Sequence, residues 1–496
     1  MTQKAHCGGY SGSRKLEDWV VSRQRYWGTP IPMIHCTGCG VVPVPDEELP
    51  VILPKIDALS RSQGATGNPL ELQEDWIRTK CPKCGGAARR ETDTLDTFFD
   101  SSWYFLRYLD PKNERKIFDK EVVNQWMPVD VYQGGKEHAC VHMFFARFIC
   151  HFLHDLGLLT VAEPFDRLVM QGSVKGKTYE LKSTGAFLHS SDVYAGNKGA
   201  FFHKETKERV LESWQKMSKS RHNGIDPLDL FEQHGSDLTR LMTVGTGTPQ
   251  SDRNWDPNVH LGLQRWLGRL QWVTGTYAEA RLTTTAGTKL DDKLDAHLKE
   301  NFDHFVRVVT VHLETTHYVS IAVARLMALT NTLRKCTPAQ MAASPEFERC
   351  LRALLVMCSV LAPHWSAELW QGISTVPSLH PDVWNPNLPV WEQKWPQADP
   401  NAPYDLVASF SFSRQALDKI KVPPSQLESL TAVSALELFV ERREFREKWA
   451  RTRVDLAGCQ LELEFRGALG AQLVILVSEQ EEEQRKRRKK SGEEIL

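Results

Sequence analysis

No run of this sequence reaches the roughly 18 uninterrupted apolar residues that a membrane-spanning helix needs. The nearest approach, MFFARFIC at residues 143–150, is broken by Arg147, so the chain reads as having no membrane partner. The first ten residues, MTQKAHCGGY, lack the apolar centre of a secretory signal and the Arg- and Ser-rich pattern of a transit peptide. An excess of either charge is also missing: 61 Lys and Arg against 62 Asp and Glu leave a formal net charge of −1. That excludes a polycationic coat for nucleic acid but leaves local basic patches able to hold phosphates. There is no internal repeat, hence no solenoid. The 11 cysteines are scattered and odd in number, which argues against a secreted disulfide scaffold and for a reducing compartment.

Four of those cysteines follow a pattern. Cys36 and Cys39 in HCTGCG, and Cys81 and Cys84 in KCPKCGG, form two C-x-x-C pairs, each followed by glycine. Two such knuckles can present four thiolates as a closed tetrahedral site for structural Zn2+, with no open position for catalysis. The segment between the pairs is long for a ribbon and rich in proline. Four reduced surface thiols, or a site that has lost its metal, remain the alternative.

With 496 residues, 41% of them hydrophobic, the chain is long enough for roughly three domains. Residues 1–32 read as a strand and loop entering a packed domain, and a zinc-ribbon-like module occupies 33–90. MPVDVYQGG (127–135) is a short apolar strand ending in two glycines, KEHACVHMFFARFICHFLHDLG (136–157) an amphipathic helix, and FDRLVMQGSV (165–174) a second strand. Strand, glycine turn, helix and strand make a βαβ unit, so the fold class is α/β, with ligands expected at the carboxyl ends of a doubly wound parallel sheet spanning 91–250. From 255 to 395, apolar residues recur at spacings of three and four, the pattern of a helix bundle. CQLELEF and QLVILV suit strands of a small α/β segment over 400–480, and 481–496 is a charged tail read as solvated, or less readily as a nucleic-acid contact.

Lys216, Met217, Ser218, Lys219 and Ser220 place two lysines and two serines in five residues, followed by the turn sequence RHNGIDP. Ammonium groups on a mobile loop can stabilise charge that grows on a leaving group. The bland alternative is a basic surface loop.

KMSKS is a signature of class I aminoacyl-tRNA synthetases. Together with DWVVSRQRYWGTPIP, ETDTLDTFFDSSWYFLRY and MPVDVYQGGKEHACVHMFFARF, it makes the chain from about Lys15 to about residue 400 resemble the leucyl-tRNA synthetase family of bacterial and mitochondrial type. Isoleucyl and valyl enzymes look similar around SRQRYWG, but usually carry Gly-x-Asp-Gln where this chain has GGKEHA. The resemblance implies the second half of a Rossmann-type catalytic domain with a zinc-ribbon insertion, then an anticodon-binding-type bundle and a small C-terminal α/β segment. It implies ATP-dependent activation of leucine, with Mg2+, and transfer to tRNA(Leu) by a monomer. The compartment implied is the mitochondrial matrix, with bacterial cytoplasm as the alternative.

Carried over by residue, the resemblance gives Lys216 and Lys219 catalytic roles and, with Met217, Ser218 and Ser220, a place at the ATP phosphates. Gly134, Gly135 and Glu137 match the ribose site, and Gln171, Gly172 and Val174 the strand end that reads adenine. Glu137 could equally be an ordinary acid in a first helical turn. Phe98, Ser101, Tyr104, His138 and His142 match the leucine pocket, although alone they would read as core aromatics, a cap serine and a histidine pair at metal-ligand spacing. Arg23, Arg25 and Trp27 match a tRNA-contacting segment, or an arginine–aromatic structural stack.

Some family features are missing from these 496 residues: the His-x-Gly-His element, the editing domain, and the Val-Asn-Gly-Lys-x-Arg element, at whose place FSFSRQALDKIKVP stands. The expectation is therefore a C-terminal half, inactive alone and completed by a complementary N-terminal half. A non-catalytic tRNA-binding protein and a zinc-ribbon nucleic-acid module are the rival readings.

Overall fold

The structure, a computed structural model, describes residues 20–55, 68–283, 291–380, 383–411, 416–452, 454, 459–465 and 469–477. The first 19 residues and the charged tail over 481–496 lie outside them. The chain forms two compact units that divide between Gly172 and Ser173, so the segment expected over 91–250 straddles the division.

In the first unit, β2 (Met33–Cys36), β3 (Gly40–Pro43), β4 (Arg78–Lys80) and β5 (Ala87–Arg90) make an antiparallel sheet in the order β3-β2-β5-β4. Strand alternation turns Ile34 and Cys36 inward and Met33 and His35 outward, and a small core of Ile34, Cys36, Val44, Cys81 and Ala88 results. Just before this sheet, β1 (Ser22–Arg23) pairs antiparallel with β6 (Thr94–Leu95), which draws SRQRYWG against DTLDTFF. Asp96 then caps α1 (Thr97–Asp100) by accepting from the Phe98 amide at 2.8 Å. Helices α2 (Tyr104–Leu109) and α3 (Lys120–Trp126) lead to β7 (Val129–Gly135). A π-helical turn, His138–His142, opens α4 (Met143–Asp155), and β8 (Phe165–Gln171) returns parallel to β7 with Gly134 opposite Met170. Phe105, Leu106, Phe118, Val123, Ala146, Cys150 and Leu153 form the core beneath this βαβ unit.

The parallel pairing expected of the βαβ unit is present, but among the described residues the parallel sheet goes no further, since β7 and β8 pair only with each other. The next strands, β9 (Val174–Leu181), β10 (Phe187–Leu188), β11 (Val193–Ala195), β12 (Phe201–His203) and β13 (Arg209–Lys216), run antiparallel in the order β10-β9-β13-β12-β11. Links of a few residues, such as the Lys182–Ala186 turn, are too short for a crossover and impose antiparallel pairing of β9 with β10, β11 with β12 and β12 with β13, whereas β9 and β13 meet across a longer connection.

The second unit continues with α5 (Pro227–Val244), β14 (Arg253–Asn254) and the helices α6 (Val259–Thr283), α7 (Asp292–Glu314), α8 (Val319–Leu333), α9 (Pro338–Ala343), α10 (Pro345–Ser359) and α11 (Pro363–Ser374). Their apolar faces share one core that includes Trp266, Tyr277, Phe302, Leu326, Phe347, Leu354 and Trp370. β15 (Tyr404–Phe410), β16 (Ala416–Val422), β17 (Gln460–Phe465) and β18 (Ala471–Leu476) form a sheet ordered β16-β15-β18-β17, on which α12 (Ala432–Val440) and α13 (Arg443–Ala450) pack through Phe439 and Phe445. No described helix is long and apolar enough to cross a membrane.

Candidate functional site

The two C-x-x-C knuckles meet. One sulfur atom from each of Cys36, Cys39, Cys81 and Cys84 lies within 4.8 Å of all the others, and Cys36 Sγ is 3.7 Å from Cys84 Sγ. A tetrahedral ion with Zn–S bonds of about 2.3 Å needs sulfurs about 3.8 Å apart, so the donor set fits Zn2+. The thiols are pushed apart in acidity. Backbone N–H groups of Cys39 and Gly38 pull Cys36 down to about 7, while hydrogen bonding to Cys84 and burial push Cys39 up to about 12. Four crowded thiolates would repel one another, and a bound cation removes that conflict.

At the end of β7, the sequence-derived pocket residues come together around one imidazole. His142 is 2% exposed; its Nε2–H donates to the Ser101 carbonyl at 2.9 Å, and its Nδ1 accepts from the Tyr132 hydroxyl at 2.7 Å. Phe98 sits edge-on to both His138 and His142 at 5.8 Å, and Tyr104 lies 6.0 Å from His142. Burial lowers the His142 pKa, against the opposing effect of the Ser101 carbonyl, so the ring is held neutral in one tautomer. With both nitrogens engaged, His142 is no metal ligand; this removes the metal alternative for the histidine pair.

Gly134 is required here, since a Cβ at this position would lie 2.9 Å from His138 Cβ. At Gly135 the nearest atom is the movable Glu137 carboxylate oxygen, so that carboxyl hangs over the end of the strand. Gln171 pairs with Gly135 across β7 and β8. Tyr132, which sequence reasoning passed over, is the hub: it stacks on Phe165 at 4.0 Å, and burial together with Tyr104 pushes its hydroxyl up to about 12. Its alternation with Gly134 along β7 was the available signal.

Arg23 is bound into the fold, 2.7 Å from Asp96 and donating to the carbonyls of Val20 and Ser22. Arg25 donates to Leu95 O, Thr97 Oγ1 and Trp27 O, and lies 5.7 Å from the Trp27 ring. Both arginines stitch the β1 segment to the β6 turn; Trp27, 65% exposed, faces outward.

In the second unit, β13 delivers Lys216 to the edge of β9, and Met217 N–H donates to Val174 O at 3.2 Å. A single 3-10 turn, Lys219–Arg221, comes next and closes on His222 with φ of 52°. Lys216, Lys219 and Ser220 are exposed, as a loop meeting a polyanion requires. Asn223, also passed over, is buried beneath them.

Residues 10–195 match the family described as tRNA synthetases class I (I, L, M and V). Over most of its length the chain is similar to leucine–tRNA ligases. It is 40% identical over 436 residues to a probable mitochondrial leucine–tRNA ligase of Pongo abelii, covering 85% of this chain and 48% of that protein. It is 38% identical over 434 residues to the leucine–tRNA ligase of Parasynechococcus marenigrum, with 85% and 48% covered. A crystal structure of the ternary complex of Agrobacterium radiobacter LeuRS with tRNA and LeuAMS superposes with a TM-score of 0.57 at 28% identity, over 93% of this chain and 52% of that one. The chain spans about half the length of the curated relatives it matches.

Proposed function

We propose that this chain carries the phosphate-loop half of a leucine–tRNA ligase of mitochondrial type. The observation that carries the reading is the loop at 216–220, an exposed pair of lysines mounted on the end of a paired strand. In leucine activation a carboxylate oxygen attacks the α-phosphorus of ATP, the bond to the bridging oxygen breaks and pyrophosphate leaves. Negative charge on that leaving group grows towards the transition state, and the Lys216 and Lys219 ammonium groups are suited to meet it there. Mg2+ would accompany the nucleotide. Phe98, Tyr104, His138 and the neutral His142 line the region assigned to leucine, where a side chain without charge meets aromatic edges. Gly134, Gly135 and Glu137 are assigned to the nucleoside; Gln171, Gly172 and Val174 to the adenine; and tRNA(Leu) is the acceptor, with Trp27 a contact for its end. The cysteine cluster holds Zn2+ to fold the 33–90 module. The helices from 255 to 395 are assigned to tRNA, and the matrix is the proposed compartment, on the similarity to mitochondrial relatives.

Leucine-dependent ATP–pyrophosphate exchange is the test, run on the chain alone and with a complementary N-terminal half. Lys219→Ala is expected to slow exchange by about 30- to 1000-fold, equivalent to ~2–4 kcal/mol, while hardly moving leucine affinity. An unchanged rate refutes the assignment.

A further inference from the structure

Two ammonium groups on a free loop would meet a leaving group only part of the time, and one buried side chain restricts the backbone that carries them. Asn223 is 6% exposed. Its Oδ1 accepts the Ser218 amide at 2.8 Å. Its Nδ2 donates to Thr178 Oγ1 at 2.7 Å and lies 3.2 Å from Gln215 O and 3.3 Å from Lys216 O. The carboxamide thereby joins the middle of the signature loop, the strand entering it and the neighbouring strand β9. Its orientation has a single solution, because a flipped amide would set nitrogen against an N–H and oxygen against carbonyls. Thr178 is fully buried and donates its own proton to Gly176 O at 3.1 Å, which leaves its lone pairs to accept from Asn223.

The backbone contributes as well. A Cβ at position 176 would lie 2.1 Å from Asn223 O, so only glycine lets the returning chain cross β9 this closely. Arg221 Nη1 adds a bond to Lys216 O at 3.2 Å. Loop, strand and cross-over are therefore tied at one point, and Asn223 is at its centre.

We propose that Asn223 is a positioning residue that holds the 216–220 loop in one geometry, so that Lys216 and Lys219 are presented to the phosphates together. Asn223 touches no substrate and acts through the lysines; the proposal rests on the ATP-dependent reading of the loop. Restricting the loop in advance raises the fraction of encounters with both charges in place, an effect on rate more than on affinity.

Hydrogen exchange of the full 496-residue chain tests the latch without any reaction. In Asn223→Ala, the Ser218 amide is expected to exchange about tenfold faster or more, with the β9 and β13 amides unchanged. Thr178→Val, which removes the acceptor, is expected to speed it in the same direction, and Thr178→Ser to restore the wild-type rate. In the exchange assay, both loosening variants are expected to lower kcat about tenfold with the KM for leucine unmoved, and Thr178→Ser to rescue it. An unaltered Ser218 amide in Asn223→Ala and Thr178→Val overturns the latch, and so does a kcat that stays at wild type while the amide is freed. Failure of the wild type, assayed together with the complementary N-terminal half, to catalyse leucine-dependent exchange overturns the functional reading instead, and the Ser218 amide still decides for or against the latch.

Discussion

Replacing His142 separates the structural from the protonic role of the ring at the centre of the proposed leucine pocket. The imidazole satisfies two buried partners, the Tyr132 hydroxyl at 2.7 Å and the Ser101 carbonyl at 2.9 Å. His142→Phe fills the space but leaves both without a partner. At about 1–3 kcal/mol for each of the two orphaned groups, the first unit is expected to lose about 2–6 kcal/mol. His142→Gln supplies one donor and one acceptor, and is expected to lose about 1 kcal/mol or less when its amide reaches both. The two variants also differ from wild type in their response to pH. Because burial lowers the folded pKa, the unfolded chain binds the extra proton between that pKa and its own ordinary value near 6.5. Stability of the wild type therefore falls as pH drops through that window, by at most about 1.4 kcal/mol per pH unit from this one group. Glutamine does not titrate, so the slope should shrink in His142→Gln. Urea unfolding followed by tryptophan fluorescence, repeated from pH 7.5 to 5, measures both quantities. Equal slopes in wild type and His142→Gln would show that the ring is not held neutral, and the hydrogen-bond assignment would fall with it.

Zinc analysis of purified chain should give one ion, and Cys81→Ser should lose it together with the fold of the 33–90 module; a value near zero in an intact wild type excludes the metal. Glu348 and Arg352 are both fully buried and 2.6 Å apart, and Glu348 also accepts from Ser378 Oγ and the Leu379 amide. Glu348→Gln leaves a buried cation without its counter-charge and should destabilise the bundle by about 3–5 kcal/mol, whereas Glu348→Leu with Arg352→Met should regain most of it; equal urea midpoints for the single variant and wild type would count against the pair. Burial alone would raise the Glu348 pKa, but Ser378, the Leu379 amide and Arg352 hold it below the usual range. Stability from this group is thus complete above about pH 4.3, the ordinary glutamate value, and is lost as pH falls from there through the folded pKa. A wild-type minus Glu348→Gln difference that stays flat on acidification would contradict this.

Features written in local spacing could be read directly. Two C-x-x-C pairs announce a four-sulfur cluster because a knuckle needs only four residues to aim two thiols. Pro at the start of α9, α10 and α11, with apolar residues at spacings of three and four, makes the helices of the bundle legible for the same reason. The lysine loop and the glycines ending β7 are equally local. Pairing between distant strands is not. Nothing near Val174 states that this strand takes β13 as its antiparallel neighbour rather than extending the parallel pair β7–β8; that choice rests on contacts across some 35 residues. The same holds for side chains whose role is to satisfy others. Tyr132 reads as a strand aromatic, and Asn223 as a turn residue before Gly224, until tertiary structure brings His142 to one and Ser218, Thr178 and Lys216 to the other. Arg23 and Arg25 read either as contacts for a polyanion or as parts of an arginine–aromatic stack, and the fold engages Arg23 with Asp96 and Arg25 with Thr97 and backbone carbonyls. Residue type determined which chemistry each position could offer; only the tertiary structure decided which partner took it, because a hydrogen bond is made to whatever the fold places about 3 Å away.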